Sequence, residues 1–366
     1  MNPQIDNLET KNETLLFTIS GVDVCFVNSI RRILLSNIKS FVFRTFPYEE
    51  SKAEIITNTT RFNNEILKQR LSCIPIHIQD LSFPYQEYIM EVNKTNDTYS
   101  SIYITSEDFK VKNIASQTYL SKEETEKIFP KNSMTGDYIK FARLRAKVMD
   151  SMSGESLHLT CKFDIGTGSE DGCYSAVSTS TYSNTLDVKK IESSRAEMEA
   201  KYKSQGLSNE DVKRNISDWL LLDAKRIFVK NSFDFKVETI GVYENIELVK
   251  MACDIGTDKV NNIVKLIEQG DININSSENT LDNCYDIKIV EEFTIGKVLE
   301  YILYQKFYEE SNILTFCGFK KMHPHDNFSI LRLAFVQDVS KENILEYILV
   351  SCSEIKTVYQ NIKSLF

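Results

Sequence analysis

The sequence predicts an α+β protein made of two related units, the first interrupted by a β-rich block. Three observations carry this prediction. Segments alternating apolar and polar residues at period two stand beside helices with an apolar stripe at 3.6-residue spacing. The order strand, amphipathic helix, later strand and long closing helix occurs twice. A polar stretch from Asp271 to Asn283, with no apolar run, separates the two occurrences and reads as a linker.

Leu15 to Ser20 forms the first expected strand. Val24 to Lys39 follows as a helix with Phe26, Ile30, Ile33 and Leu34 on one stripe at i, i+4, i+7 and i+8. Asn28 and Arg32 stand on its other side, and Arg31 at the stripe's edge. From Phe46 to Tyr174 the pattern is strand-rich, clearest where Leu157, Leu159, Cys161 and Phe163 alternate with Ser156, His158, Thr160 and Lys162. Thr105 to Gly136, inside that block, is polar and is expected to form loops with a short helix near Lys122 to Phe129. Asp187 to Asp223 shifts to charged helix formers, with the N-cap spacing Ser208 to Asp211, and predicts two surface helices. Phe233, Phe235 and Val237 restore a strand. A long helix then carries Ile246, Val249, Cys253, Val260, Ile263, Val264 and Ile267 on one face up to Gly270.

Beyond the linker, Tyr285, Ile287 and Ile289 give a strand, and Ile295, Val298, Leu299, Ile302 and Leu303 a helix. Leu331, Leu333 and Phe335 give another strand, and Ile344, Ile348, Cys352, Ile355, Tyr359 and Ile362 the final helix. The expected domains are therefore 1–45 with 175–270, an inserted β-rich domain at 46–174, a linker at 271–283, and a second unit at 284–366. The repeat implies a pseudo-two-fold pair whose helix stripes bury each other, an intramolecular counterpart of a two-fold dimer interface.

Composition narrows the function. The chain has 366 residues, 42% of them hydrophobic, with no apolar run long enough for a membrane span of about 20 residues. A net charge of −9 disfavours a broad phosphate-binding face, so direct sequence-specific nucleic-acid binding is not expected. The polar, acidic first ten residues lack the pattern of a secretory signal, which predicts an intracellular protein and makes the Asn-x-Ser/Thr triplets at Asn93, Asn96 and Asn215 chance matches. Eight scattered cysteines, never closer than twelve residues, exclude CxxC ligand pairs and predict reduced thiols.

No catalytic motif emerges. The run Gly166 to Gly172 lacks the lysine of a phosphate loop and reads as a turn. His323 and His325 flank a proline without the companions of a zinc site, favouring a structural or interface role, and His77 and His158 are isolated. Neither a cofactor nor a metal is expected.

The segment Val27-Asn-Ser-Ile-Arg-Arg-Ile-Leu-Leu-Ser36 resembles the signature helix of the alpha-like subunits of DNA-dependent RNA polymerase: bacterial alpha, archaeal D and the third-largest eukaryotic subunit. Asn58-Thr-Thr60, Gln69-Arg-Leu-Ser-Cys-Ile-Pro-Ile76, Gly154 to Phe163, and Phe235 to Gly241 follow in the matching order. The final segment resembles the smaller partner, archaeal L or the eleventh eukaryotic subunit, through Glu292-Phe-Thr-Ile-Gly296, Phe316-Cys-Gly-Phe-Lys320 and His323-Pro-His325. Together these cover most of residues 13 to 362 and leave Asp187 to Asp223 unmatched.

The resemblance implies two alpha-type dimerisation domains and a non-catalytic platform on which the largest and second-largest polymerase subunits assemble, together with small polymerase subunits. It implies a large-subunit contact at Asn28, Arg31 and Arg32, and an internal dimer interface of Phe26, Ile30, Ile33 and Leu34 with Ile295, Leu299, Ile302, Ile348 and Ile355. Arginine suits such a contact because its planar fork pairs with carboxylates while its stem packs on apolar surface. Many relatives carry a cysteine cluster in the inserted domain, whereas no cysteine lies between Cys73 and Cys161. Fusion of the two partners is expected chiefly in large DNA viruses of eukaryotes, which implies action in a viral factory of the host cytoplasm and in the virion, or in the nucleus. A linker makes association intramolecular, with effective concentrations of about millimolar. The rival readings are a free-standing interaction scaffold that reuses the dimerisation fold, and a hydrolase using His323 or His325.

Overall fold

The computed structural model describes residues 1–277, 280–290 and 293–366. The chain begins with β1 (Gln4–Lys11), β2 (Thr14–Ser20), α1 (Val24–Ser36), β3 (Lys39–Val42), β4 (Ala53–Asn58) and α2 (Asn64–Ser72). It continues through β5 (Tyr88–Thr95), β6 (Ile102–Thr105), β7 (Lys110–Asn113), α3 (Lys122–Ile128), β8 (Lys140–Leu144), β9 (Ser156–Lys162), β10 (Asp164–Thr167) and β11 (Val177–Leu186). Then come α4 (Val188–Ser204), α5 (Asn209–Leu221), β12 (Phe228–Thr239), α6 (Asn245–Glu268), β13 (Ile274–Ser276), β14 (Cys284–Ile289) and α7 (Phe293–Leu303). The last elements are β15 (Leu314–Lys320), β16 (Ser329–Phe335) and α8 (Lys341–Lys363).

These elements form two compact units. The first gathers residues 1–33, 179–238 and 249–366, and the second 34–178 and 239–248. Segments expected as two separate dimerisation units, before and after residue 283, thus share one compact unit.

The first unit has two four-stranded sheets, ordered β1-β2-β12-β11 and β13-β14-β16-β15. In the first sheet Phe17 stands opposite Phe235, with their rings stacked at 5.1 Å. The C-terminal Phe366 meets Phe17 edge-on at 5.0 Å. In the second sheet Asp286 pairs with Arg332 across the strands, and the guanidinium donates two hydrogen bonds to its carboxylate, at 2.6 and 2.7 Å. The stretch expected as a linker contains β13, because Ile274 alternates with polar neighbours and is buried opposite Ile287. Glu278 and Asn279 of that linker, and Glu292 of the run leading into α7, lie outside the described residues.

The second unit is built on the sheet β4-β9-β5-β7. One face of β9 supplies Leu157, Leu159 and Cys161 to a core shared with Met90, Val92 and Phe141. The second unit takes in more than residues 46–174, and specific pairings account for its extent. Val42 pairs with Asp164 where β3 joins β10. The Tyr243 hydroxyl donates to the Lys39 carbonyl at 2.9 Å, and the Gln79 amide donates to the Val242 carbonyl at 2.8 Å. The helix expected to reach Lys39 ends at Ser36, since Lys39 opens β3. The stretch expected as loops holds β7, where Val111 is buried beside Met90. The expected short helix there is α3, closed by a capping box between Ser121 and Glu124.

Candidate subunit interface

Helix α1 starts where the Asp23 carboxylate accepts the Cys25 backbone N–H at 2.9 Å, satisfying one of the four donors a helix N-terminus leaves open. From there the 3.6-residue period places Phe26, Ile30 and Ile33 on one buried stripe. Leu34, counted with the second unit, is also buried.

Helix α8 supplies the longest facing stripe. Ser340 caps it by accepting the Asn343 N–H, and Ile344, Ile348, Cys352, Ile355, Tyr359 and Ile362 are all buried along it. Each fully buried aliphatic or aromatic side chain of this kind contributes about 1.5–3 kcal/mol relative to an exposed one. Helix α7 buries Ile295, Leu299 and Ile302. It also buries Gly296, over which the Phe319 ring lies so closely that a Cβ would collide with it.

Tyr359 is the point where three helices meet. Its ring stands edge-on to Phe26 at 5.4 Å. A Cβ on Gly256 of α6 would come within 2.9 Å of the same ring. The Tyr359 hydroxyl lies 2.6 Å from Ser29 Oγ. Burial pushes its pKa far above the ordinary tyrosine range, so the phenol stays protonated. Lys363, the last residue of α8, forms an ion pair with Asp254 of α6 at 2.7 Å.

The polar residues of α1 divide. Arg31 is half-buried and its Nε donates to Asn28 Oδ1 at 3.0 Å within the helix. Among the described residues no carboxylate pairs with Arg31. Arg32 is exposed, yet its Nε donates to the buried Thr294 Oγ1 at 3.0 Å, tying α1 to the first turn of α7. Arg32 is therefore engaged within the chain, which the sequence did not indicate.

His323 and His325 are exposed with ring centroids 5.0 Å apart, and among the described residues no three metal-ligating side chains gather. His158 Nε2 lies 2.9 Å from Glu91, whose carboxylate also accepts the Tyr119 hydroxyl. Those bonds, the tyrosine's foremost, hold the Glu91 carboxyl below its ordinary range. Burial lowers the pKa of His77 and favours its neutral form. Asn96 is fully buried and both its amide hydrogens are used, on the carbonyls of Ser100 and Leu144. Sequence reasoning assigned no packing role to Ser29, Gly256, Gly296 or Thr294, although all but Gly256 lie in segments that carry the family resemblance. The small residues set inside apolar stripes were the available signal, since they permit close approach of a neighbouring ring.

Comparison with known proteins bears on the part of the chain that holds α1 and α6. Residues 16–260 match the family described as the RNA polymerase Rpb3/Rpb11 dimerisation domain. The chain is 24% identical over 296 residues to the DNA-directed RNA polymerase subunit Rpo3 of Methanosphaera stadtmanae, an alignment covering 72% of this chain and 98% of that protein. It is 25% identical to a subunit shared by DNA-directed RNA polymerases I and III, rpac1 of Dictyostelium discoideum, over 50% of this chain and 52% of the relative. The human counterpart, RPAC1, is 30% identical over 26% of each chain. On the extent of the family match, the chain belongs to the RNA polymerase Rpb3/Rpb11 dimerisation-domain family.

Proposed function

We propose that this chain is a non-catalytic assembly subunit of a DNA-directed RNA polymerase, carrying the larger and the smaller alpha-like member in one polypeptide. The observation that carries the fused reading is Tyr359, a residue of the final helix held against Phe26, Ser29 and Gly256 of the region that matches the family. On this reading residues 284–366 act as the smaller member, and α1, α6, α7 and α8 form an intramolecular version of the dimer interface. The block centred on 46–174 is the insertion. Arg31, with Asn28 orienting it, presents a cation to the second-largest subunit, and the resulting platform recruits the largest one. The chain itself turns over no substrate.

The fused arrangement and an Asn-, Ile- and Lys-rich composition support an origin in a large DNA virus, with action in infected cells. Co-expression with the two largest polymerase subunits of the same source tests the assembly role. The reading predicts that the two large chains form a soluble complex only when this chain is present, and association unaffected by its omission would refute it.

A further inference from the structure

We infer that the base of the α4–α5 hairpin docks an acidic, amphipathic segment of another polypeptide. The segment has no match in the resemblance read from sequence, and its surface is unusual for this chain. Val188, Leu221 and Leu222 are 61%, 60% and 68% exposed. Leu186, Phe228 and Val229 are exposed as well. The Asp187 N–H donates to the Ile227 carbonyl at 3.1 Å, which brings the chain segment carrying Leu186 and Val188 to the one carrying Phe228 and Val229. The turn Asp223–Arg226 leads from Leu222 into the same strand. These side chains are surplus to the core, since α5 buries Val212, Ile216 and Trp219 instead. Helix α4 buries no residue at all. Contiguous exposed apolar side chains with a polar rim mark interaction surfaces.

The rim sets the partner's chemistry. Lys189, Lys190, Lys225 and Lys230, close in sequence to the patch residues, are exposed, and among the described residues none of the four is in an ion pair, whereas Asp187 caps α4 and Asp223 pairs with Arg226. Lys189 and Lys190 occupy the first turn of α4, which has no acidic residue and where cations are disfavoured by the helix dipole. A chain of net charge −9 has thus placed unpaired cations around its exposed leucines. Leucines ringed by lysines complement a segment with an apolar stripe and flanking carboxylates, the apolar anchors giving affinity and the charges orientation. Nucleic acid would use the lysines but leave the leucines wet.

The test compares the isolated chain with the assembly purified from its native source. Both are treated with a lysine-acetylating reagent and with a zero-length carbodiimide, which joins lysine only to a carboxylate in contact with it. The expected result is at least fivefold lower acetylation of these four lysines in the assembly, with crosslinks from them to aspartate or glutamate of another chain. Leu221→Asp with Leu222→Asp should abolish those crosslinks while leaving the fold intact, because both side chains are already exposed. Equal acetylation in the two forms overturns the inference, as do crosslinks confined to copies of this chain, protection removed by nuclease, or purification of the chain alone. Co-purification of large polymerase subunits with fully reactive lysines would overturn this inference and leave the proposed function standing.

Discussion

Tyr359 Oη and Ser29 Oγ lie 2.6 Å apart, although 330 positions separate them in sequence. Ser29 already donates its only hydroxyl proton to the Phe26 carbonyl at 2.7 Å, so the phenol is the donor between the two. This order predicts asymmetric costs. Tyr359→Phe leaves Ser29 with a partner and should cost about 0.5–1.5 kcal/mol, whereas Ser29→Ala strands a buried phenol and should cost about 1–3 kcal/mol. Urea unfolding of both variants checks the ranking, and equal costs would show the donor assignment to be wrong.

Gly256→Ala should destabilise through crowding. The added methyl would meet the Tyr359 ring at 2.9 Å from Cζ and 3.1 Å from both Cε atoms, and an overpacked core loses about 1–3 kcal/mol. The double variant with Tyr359→Leu should lose less than the sum of the two single losses, because the smaller side chain vacates the space. Additive losses in a double-mutant cycle would mean that ring and glycine do not compete for the same volume.

Arg31 and Arg32, neighbours in sequence, should behave differently. Arg31→Glu removes a cation with no carboxylate partner among the described residues, so folding should change by no more than about 0.5 kcal/mol while recovery of large polymerase subunits falls by at least tenfold. Arg32→Ala removes the bond to Thr294, so its first effect should be a lower unfolding midpoint, reproduced by Thr294→Val. Circular dichroism melts alongside pull-downs separate the two outcomes.

The Asp286 carboxyl titrates below its ordinary value because Arg332 donates hydrogen bonds to it. A depressed folded-state pKa contributes stability that is present above the unfolded value, about 3.9 for aspartate, and is lost as pH falls through the folded value. The stability gap between the parent chain and Asp286→Asn should therefore be constant near neutral pH and narrow below about pH 4. A gap that does not narrow would mean that the pair makes no net contribution.

Thiol reactivity should follow burial. Desolvation pushes Cys253 and Cys352 up to about 12, and Cys161, also buried, is pushed up by the same cause. Cys73 is exposed. Alkylation of the native chain at neutral pH should modify Cys73 well ahead of those three, as read by peptide mass spectrometry.

What sequence made legible was periodic. The stripes of α1, α6, α7 and α8 announce buried faces, and Ser208 announces the start of α5. What it hid was either short or distant. β7 and β13 contain one buried apolar residue each, Val111 and Ile274, too few for a period-two signal, and only pairing with β5 and β14 makes them strands. Lys39–Val42 is a strand through its pairing with β10, a partner far along the chain. Ser29 and Thr294 look like ordinary polar interruptions until Tyr359 and Arg32 arrive from far along the chain.

The most direct measurement is affinity purification of the tagged chain from its native source at moderate salt, with mass spectrometry of the co-eluting proteins and a promoter-independent RNA synthesis assay. The account predicts two very large chains near equal stoichiometry with this one, together with RNA synthesis. Elution of the chain alone, or with partners that synthesise no RNA, would contradict it.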